Sequence, residues 1–312
     1  MPAAVVRTEL GSTDIIELQE FIAAREHALG YRPVSDEAWA ELRHGTTGDM
    51  ATVIVRSGSG AVVASAHASS ASPVTTTGGS AWNVETVTEE LDPATMARLT
   101  TQLLASTIST VLSRGGIELT WTVLGPTPVH DAVASTFALD RVRQIHQMRR
   151  SLPTGLVFEI STRSFDPSHD LAAWVRVNNR AFAWNPEQGH WTESNVLARM
   201  DEPWFDPDGF LIHERDGELA GFCWTKIHAG SDPALGEIYI IAVDPAHHGL
   251  GLGRALTLAG LDSLARRGIT VGMLFVDADN VAAVRLYDAL GFVVHRTDCL
   301  YHVRLSETTP NP

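Results

Sequence analysis

Apolar residues in this chain come in two kinds of run, and the two kinds alternate. Runs of about four to eight residues rich in Val, Ile, Tyr, Phe and Trp, bounded by Gly, Pro, Asp or Asn, read as strands. Stretches with apolar residues three and four apart read as helices. From residue 156 onward the pattern predicts a strand at 157–161, helices at 168–182 and 191–199, and strands at 209–214, 218–227 and 237–243. A helix then runs from just after Gly249 to about Arg267, followed by a strand at 270–276, a helix at 280–289 and a strand at 292–305. The preceding half predicts helices at 14–29 and 35–43 and strands at 52–56, 61–68 and 81–87. A helix follows Pro93, with Pro at its first turn, and then come a strand at 117–123, a helix at 129–137 and a strand at 141–149.

Strands that alternate with crossover helices imply an α/β (α+β) fold with a mixed sheet. The two halves share their order of elements, with a divide at Ser151-Leu-Pro-Thr-Gly155. The expected domains are therefore 1–150 and 156–312, joined by a linker at 151–155. Asp92-Pro-Ala94 is echoed by Asp244-Pro-Ala246, 152 positions later, which reads as an internal duplication. The alternative is coincidence between two α/β domains. At the same offset Gly249, Gly251 and Gly253 fall on Ala97, Leu99 and Thr101, and Asn280 falls on Pro128. Side chains at those positions obstruct close approach of a ligand to the backbone. Thr75-Thr-Thr-Gly-Gly-Ser80 precedes a strand rather than a helix and reads as a loop.

One segment carries candidate chemistry. Ile241-Ala-Val-Asp-Pro-Ala-His-His-Gly-Leu-Gly-Leu-Gly-Arg254 reads as an apolar strand, a glycine-rich turn and a helix start. Such a turn aims several N–H groups at one spot, where the helix dipole also favours negative charge, as a pyrophosphate site requires. The following Asp279-Asn-Val-Ala-Ala-Val-Arg-Leu-Tyr-Asp-Ala-Leu-Gly-Phe292 is a short helix able to set an Asn, an Arg and a Tyr beside the same ligand.

Composition narrows the setting. The chain has 312 residues, 44% hydrophobic and 19% charged, enough for two packed domains and contrary to global disorder. A net charge of −14 argues against a nucleic-acid surface, which needs clustered Lys and Arg, and against an anionic membrane. Cys223 and Cys299, the two cysteines, lie in apolar runs and read as buried free thiols of a reducing compartment. Charged residues follow soon after Met1, and no apolar run approaches the ~20 residues that span a bilayer. The expectation is a soluble, cytoplasmic, monomeric protein. Thirteen histidines show no zinc-like spacing: His247 and His248 are adjacent, and His213 and His228 fall in separate strands. No metal is expected.

These residues resemble the GNAT acetyltransferase superfamily, in which a Gln/Arg-x-x-Gly-x-Gly/Ala turn after the fourth strand binds the acetyl-CoA pyrophosphate. His248-Gly-Leu-Gly-Leu-Gly253 stands in that turn, with His248 replacing the usual Gln or Arg and Gly249 added. Asn280-x-x-Ala283-x-x-Leu286-Tyr287-x-x-Leu290-Gly291-Phe292 follows at the family's distance. Val177-Asn-Asn-Arg-Ala-Phe182, Pro186-Glu-Gln-Gly189, Trp204-Phe-Asp-Pro-Asp-Gly209 and Gly221-Phe-Cys-Trp-Thr-Lys226 resemble the tandem-domain members. Those members acetylate the cysteinyl amine of Cys-GlcN-Ins to give mycothiol. The match is close over most of the second half. In the first half it is an outline plus Gln147-Met-Arg-Arg150.

The resemblance implies two tandem GNAT domains, the second catalytic and the first a degenerate copy. It implies Tyr287 as the acid that protonates the departing thiolate, against a plain reading as a core aromatic beside Leu286 and Leu290. It implies Glu237 as the residue that meets the substrate amine and relays its proton, against a strand-end surface carboxylate. An α-amino group has a pKa near ~8, so that base need not be strong. Substrate contacts are implied for Asp36, Glu187 and Lys226, and for Phe275, which stands where the family commonly has Tyr. Acetyl-CoA contacts are implied for Ile241, Ala242 and Val243 along the strand, with the Val243 N–H as oxyanion donor. They extend through His248, Gly249, Leu250, Gly251, Leu252 and Gly253 in the turn, and to Arg254, Asn280, Ala283 and Arg285. By residue type alone, Asp36 and Arg254 read equally as solvated charges. Two other functions stay open: a GNAT enzyme for another amine, such as an aminoglycoside or a protein N-terminus, and a non-catalytic acyl-CoA-binding module.

Overall fold

The computed structural model of the protein describes residues 4–7, 10–44, 49–71, 80–185 and 188–306. In chain order the first elements are β1 (Ala4–Arg7), α1 (Ser12–Leu29), α2 (Asp36–His44), β2 (Met50–Arg56), β3 (Val62–Ala71) and β4 (Ser80–Thr88). Next come α3 (Pro93–Ser113), β5 (Gly116–Leu124), α4 (Pro128–Thr136), β6 (Asp140–Ser151), β7 (Arg163–Ser164) and α5 (Pro167–Ala181). Then follow α6 (Glu193–Met200), β8 (Phe210–Arg215), β9 (Glu218–His228), β10 (Leu235–Val243) and α7 (Leu252–Arg266). The last are β11 (Val271–Asp277), α8 (Val281–Ala289) and β12 (Val293–Arg304). Most helix starts are set by the side chain before them. The Asp92 carboxylate accepts from the Ala94 and Thr95 N–H groups at 3.1 and 3.0 Å, and Pro93 opens α3. Asp166 and Thr192 cap α5 and α6 in the same way.

The chain divides into two compact units. The first is Met1–Ile145 with Arg296–Pro312, and the second is His146–His295. In the first unit the strand order is β1-β2-β3-β4-β5-β12; in the second it is β6-β11-β10-β9-β8-β7. Each sheet is mixed, with one parallel pair, β4 with β5 and β10 with β11. Each carries a hydrophobic cluster on either face. In the first unit α3 and α4 close one cluster around Trp82, Trp121 and Leu103, and α1 and α2 close the other around Phe21, Ile22 and Ile54. In the second unit α7 and α8 cover Ile238, Leu274 and Met148, while α5 and α6 cover Phe210, Phe222 and Trp224. The shared plan supports the duplication.

The units depart from the sequence divide at 151–155. Reading in chain order assigns β12 to the second half, yet its residues from Arg296 onward complete the first unit. Cys299, Tyr301 and Leu305 bury with Trp121 and Leu139, and Tyr301 lies opposite Trp121 in the β5–β12 ladder. The end of β6 in turn belongs to the second unit, where Met148 and Leu152 pack under α7 and the Leu152 N–H donates to the Thr270 carbonyl. Side-chain periodicity identifies a strand but not its ladder partner.

The strand expected at 157–161 is absent. Residues 155–162 have no regular structure, and a two-residue β7 follows. Phe158 and Ile160 pack on the cluster under α7 while Val157 is 89% exposed. The alternation reports extended chain laid across a core, without a ladder. The loop expected at 75–80 lies almost wholly outside the described residues, only Ser80 being placed. Both cysteines are buried and free; burial pushes the Cys223 thiol up to about 12 and raises Cys299. Among the described residues no helix is long and apolar enough to cross a membrane.

Glu85 on β4 sits 152 positions before Glu237. Its carboxylate accepts from the Ser35 N–H at 2.7 Å and the Ser35 hydroxyl at 2.6 Å, just before α2. Burial pushes its carboxyl above the ordinary range, and the Ser35 bonds oppose that rise. A raised folded-state value means that ionised Glu85 costs stability, so its contribution is best at acid pH and declines as pH rises through that value. Glu85→Ala strands a Ser35 N–H and should lower unfolding free energy by about 1–3 kcal/mol. Glu85→Gln keeps an acceptor and should lose far less at neutral pH. Urea denaturation of the three proteins checks both.

Candidate active site

The site grows from one edge of β10. The β10–β11 ladder pairs Leu235 through Ile238 with Val271 through Leu274, but β10 continues to Val243. On its other side β10 stays paired with β9 as far as Val243 opposite Gly221, and the Asp244 N–H donates to the Ala220 carbonyl at 2.9 Å. In an antiparallel ladder that bond puts Asp244 and Ala242 in hydrogen-bonded pairs and leaves Ile241 and Val243 in the pairs whose N–H and C=O point outward. Their backbone groups therefore face the gap where β11 has left. A bulge between Ile238 and Ile240 resets the side-chain alternation. Tyr239 and Ile240 pack with the cluster under α5, and Ile241 and Val243 with the one under α7.

Beyond β10 the chain makes a short 3-10 turn, Pro245–His247, capped by Asp244. Asp244 is buried; it accepts from the Ala246 N–H at 2.9 Å and pairs with Arg180 of α5. Arg180 thus anchors the start of the turn, a role that its motif alone does not reveal. Gly249 and Gly251 both adopt left-handed backbone, with φ of +80° and +75°. Gly251 is the N-cap of α7 and offers no side chain to the helix. The first N–H groups of α7 lack intrahelical partners, and they open on a cavity of about 550 Å³ lined by Ile241, Ala242, Val243, Gly249, Gly251 and Arg254, among others. A Cβ at Gly249 or Gly251 would meet open space. Gly253 differs: it lies inside the first turn of α7, where a Cβ would only touch Leu286 at 3.8 Å. Leu252 is buried beneath the turn and lines the cavity; Leu250 is exposed and does not. His248 lines the cavity, and its Nε2 lies 3.1 Å from the Val243 carbonyl oxygen, so the ring braces the turn against the free edge. Backbone donors, a dipole and Arg254 suit a pyrophosphate, and the unpaired edge suits an amide-bearing arm. The residues present therefore fit acetyl-CoA.

Helix α8 supplies the far wall. Asn280, its N-cap, accepts from the Ala283 N–H at 3.2 Å, which leaves its NH₂ as a donor for a cavity ligand. Asn280, Ala283 and Tyr287 line the cavity. Arg285 is exposed and is not part of the cavity wall. Tyr287 is buried edge-on against Phe292, with ring centroids 5.8 Å apart. Burial pushes its phenol well above the ordinary value, with Cys223 adding to the rise, so it stays protonated.

Glu237 lies on the other face of β10, buried, with its Oε2 2.7 Å from His228 Nε2 at the end of β9. It is opposite Lys226 on β9 and Met273 on β11. Lys226 sits over the rings of Trp204 and Tyr239 at 5.0 and 5.8 Å. Phe275, two residues beyond Met273 on the same face, is 42% exposed. Asp36 belongs to the first unit, where it pairs with Arg32 at 3.1 Å. Glu187 lies outside the described residues. Beyond it in the chain, the Asn178 NH₂ donates to the Gln188 carbonyl at 2.8 Å, and Asn179 bonds both the N–H and the carbonyl of Trp191. Those asparagines explain the Asn-Asn motif structurally. Among the described residues no group of three or more His, Cys, Asp or Glu is disposed to hold a metal.

Among its described residues the first unit has no such turn. Helix α3 begins at Pro93, directly after Asp92, so Ala97, Leu99 and Thr101 lie within helix and their N–H groups serve its ladder.

A mixed sheet splayed after one strand, with a glycine turn capping the helix that follows, defines a GNAT acetyltransferase. The family described as Acetyltransferase (GNAT) family matches residues 173–292. The chain belongs to the mycothiol acetyltransferase family: a relative of that name from Frankia alni is 35% identical over 314 residues, covering 95% of this chain and 93% of the relative. Another, from Thermobispora bispora, is 46% identical over 202 residues, covering 62% of this chain and 68% of the relative. A tandem GNAT protein from the clavulanic acid pathway shares the fold, with a TM-score of 0.69, 17% identity and coverage of 98% of this chain and all of that one. The chain is an acetyl-CoA-dependent acetyltransferase, and the expected fold class, two tandem GNAT domains, is borne out.

Calorimetry should find one CoA per chain. Gly251→Ala forces a side chain into left-handed backbone at about 1–2 kcal/mol and should weaken CoA binding about tenfold, roughly 1.4 kcal/mol. A second site of similar affinity would contradict the assignment of the turn.

Proposed function

We propose that this chain acetylates the cysteinyl amine of Cys-GlcN-Ins, with acetyl-CoA as donor, to give mycothiol. The single observation that carries the reading is the strand β10, which bears Glu237 on one side and the unpaired edge at Ile241 and Val243 on the other. Full-length similarity to a mycothiol acetyltransferase supports the substrate. So does the chemistry of the Glu237 face: a buried carboxylate suits an ammonium, Lys226 suits hydroxyl oxygens, and the exposed Phe275 ring suits the apolar face of a sugar. Glu187 is proposed as a further carboxylate toward the substrate.

The amine loses its proton to Glu237 and attacks the acetyl carbonyl directly in a ternary complex. Ile241 and Val243 N–H groups are the free donors for the developing oxyanion, Ile241 being the nearer to Glu237 in sequence. The carbon–sulfur bond breaks, and Tyr287 protonates the thiolate. A thiol near ~8.5 lies below a phenol near ~10, so the transfer relies on placement and on the charge developing at sulfur. The second unit is the catalytic one, and the first is a copy that has lost its cofactor turn. The two buried free thiols fit a cytoplasmic enzyme that acts on small molecules.

A panel of amines with acetyl-CoA tests the substrate: kcat/KM should favour a cysteinyl-glucosamine by orders of magnitude over aminoglycosides and peptide N-termini. Comparable rates on either of those would defeat the reading. Tyr287→Phe should lower kcat about 10²-fold with little change in CoA affinity; an unchanged kcat would remove Tyr287 from the acid role.

A further inference from the structure

Glu237 is buried, and that raises a question of where its proton goes. The amine enters as an ammonium, and the net reaction releases one proton. With both substrates bound, water has poor access to a buried carboxylate. His228 is the group on hand. Its Nε2 lies 2.7 Å from Glu237 Oε2, and its side chain is more exposed than that of Glu237, 25% against 9%. The register places it: His228 is opposite Leu235, so it lies diagonally across the ladder from Glu237 and on the same face. Its backbone is held as well, because the Ser231 hydroxyl donates to the His228 carbonyl at 2.8 Å.

We propose that His228 is the proton outlet of the site, taking the substrate ammonium's proton from Glu237 and passing it to solvent. Imidazole suits the task, because its ordinary titration lies nearest neutral pH and its two nitrogens can face a donor and water at once. The balance is as follows. The ammonium gives one proton through Glu237 to His228. The free amine's lone pair forms the N–C bond, and collapse breaks the C–S bond. Tyr287 gives its proton to sulfur and regains one from the attacking nitrogen. His228 then releases its proton to water. Charged groups on this face include Lys226 on β9, Glu237 on β10 and, beyond Met273 and Phe275 at the end of β11, Asp277; Asp232 in the β9–β10 connection is exposed.

The inference rests on Glu237 serving the amine, so it is tested with whichever amine the wild-type enzyme acetylates. A failure of the cysteinyl-glucosamine reading then leaves this test intact. His228→Gln keeps a hydrogen-bond donor toward Glu237 but cannot carry a proton; His228→Ala removes both functions. Each should lower kcat roughly 10²-fold, move the acidic limb of the kcat–pH profile, and leave acetyl-CoA affinity unchanged by calorimetry. Added imidazole should restore His228→Ala about tenfold or more, with the rescue following the free base. Wild-type kcat and pH profile in His228→Gln would overturn the proposal, as would a loss in both variants that imidazole leaves untouched. If His228→Ala fails the acetyl-CoA binding check, the His228→Gln pH profile decides alone.

Discussion

Backbone N–H and C=O groups withdrawn from water must find partners, and the second unit is organised around a stretch of chain that has lost its strand partner, with only the Val243 carbonyl met by His248. Two kinds of donor meet there. One is the outward edge of β10 at Ile241 and Val243, left when β11 turns away after Leu274. The other is the first turn of α7, which begins at a left-handed glycine with no side-chain cap. Between them lies a cavity that fits an amide-rich, anionic ligand. The bulge at Tyr239 belongs to the same constraint. It lets one strand aim a carboxylate at one face and bury Ile241 and Val243 toward the other.

The first unit meets the same constraint by other means. It has the same sheet plan and an equivalent acidic residue, but α3 starts at once after its Asp cap, so its amides are consumed by the helix. Glu85 stands where Glu237 stands, and its carboxylate is taken by Ser35. A position proposed to meet substrate in one copy ties a helix to a sheet in the other. The chemistry of the side chain is unchanged; what differs is whether a donor from the protein reaches it first.

Much of this could be read from the chain. Gly249 and Gly251 announced the turn, and the spacing to Asn280 and Tyr287 announced the wall. Three things could not be read. Strand partners are set by burial across the chain, so the company Tyr301 keeps with Trp121 has no local signature. A turn's anchor can lie far from it in sequence, so the pairing of Arg180 with Asp244 has no local signature. Cross-strand diagonals need a register, so His228 could not be joined to Glu237 until the ladder was known. Val157 shows the converse: a strand-like alternation with no ladder behind it.

The pairing of β12 with β5 has a consequence in time. A ribosome finishes β5 and α4 long before it reaches Arg296, and the first unit lacks the edge of its core until then. Trp121 and Leu139 must wait, partly uncovered, while the whole second unit is made. Ladder closure between residues this far apart in sequence is slow. The earliest part of the chain to be synthesised is thus among the last to be sealed, and the nascent protein carries an exposed apolar sheet edge through most of its own translation.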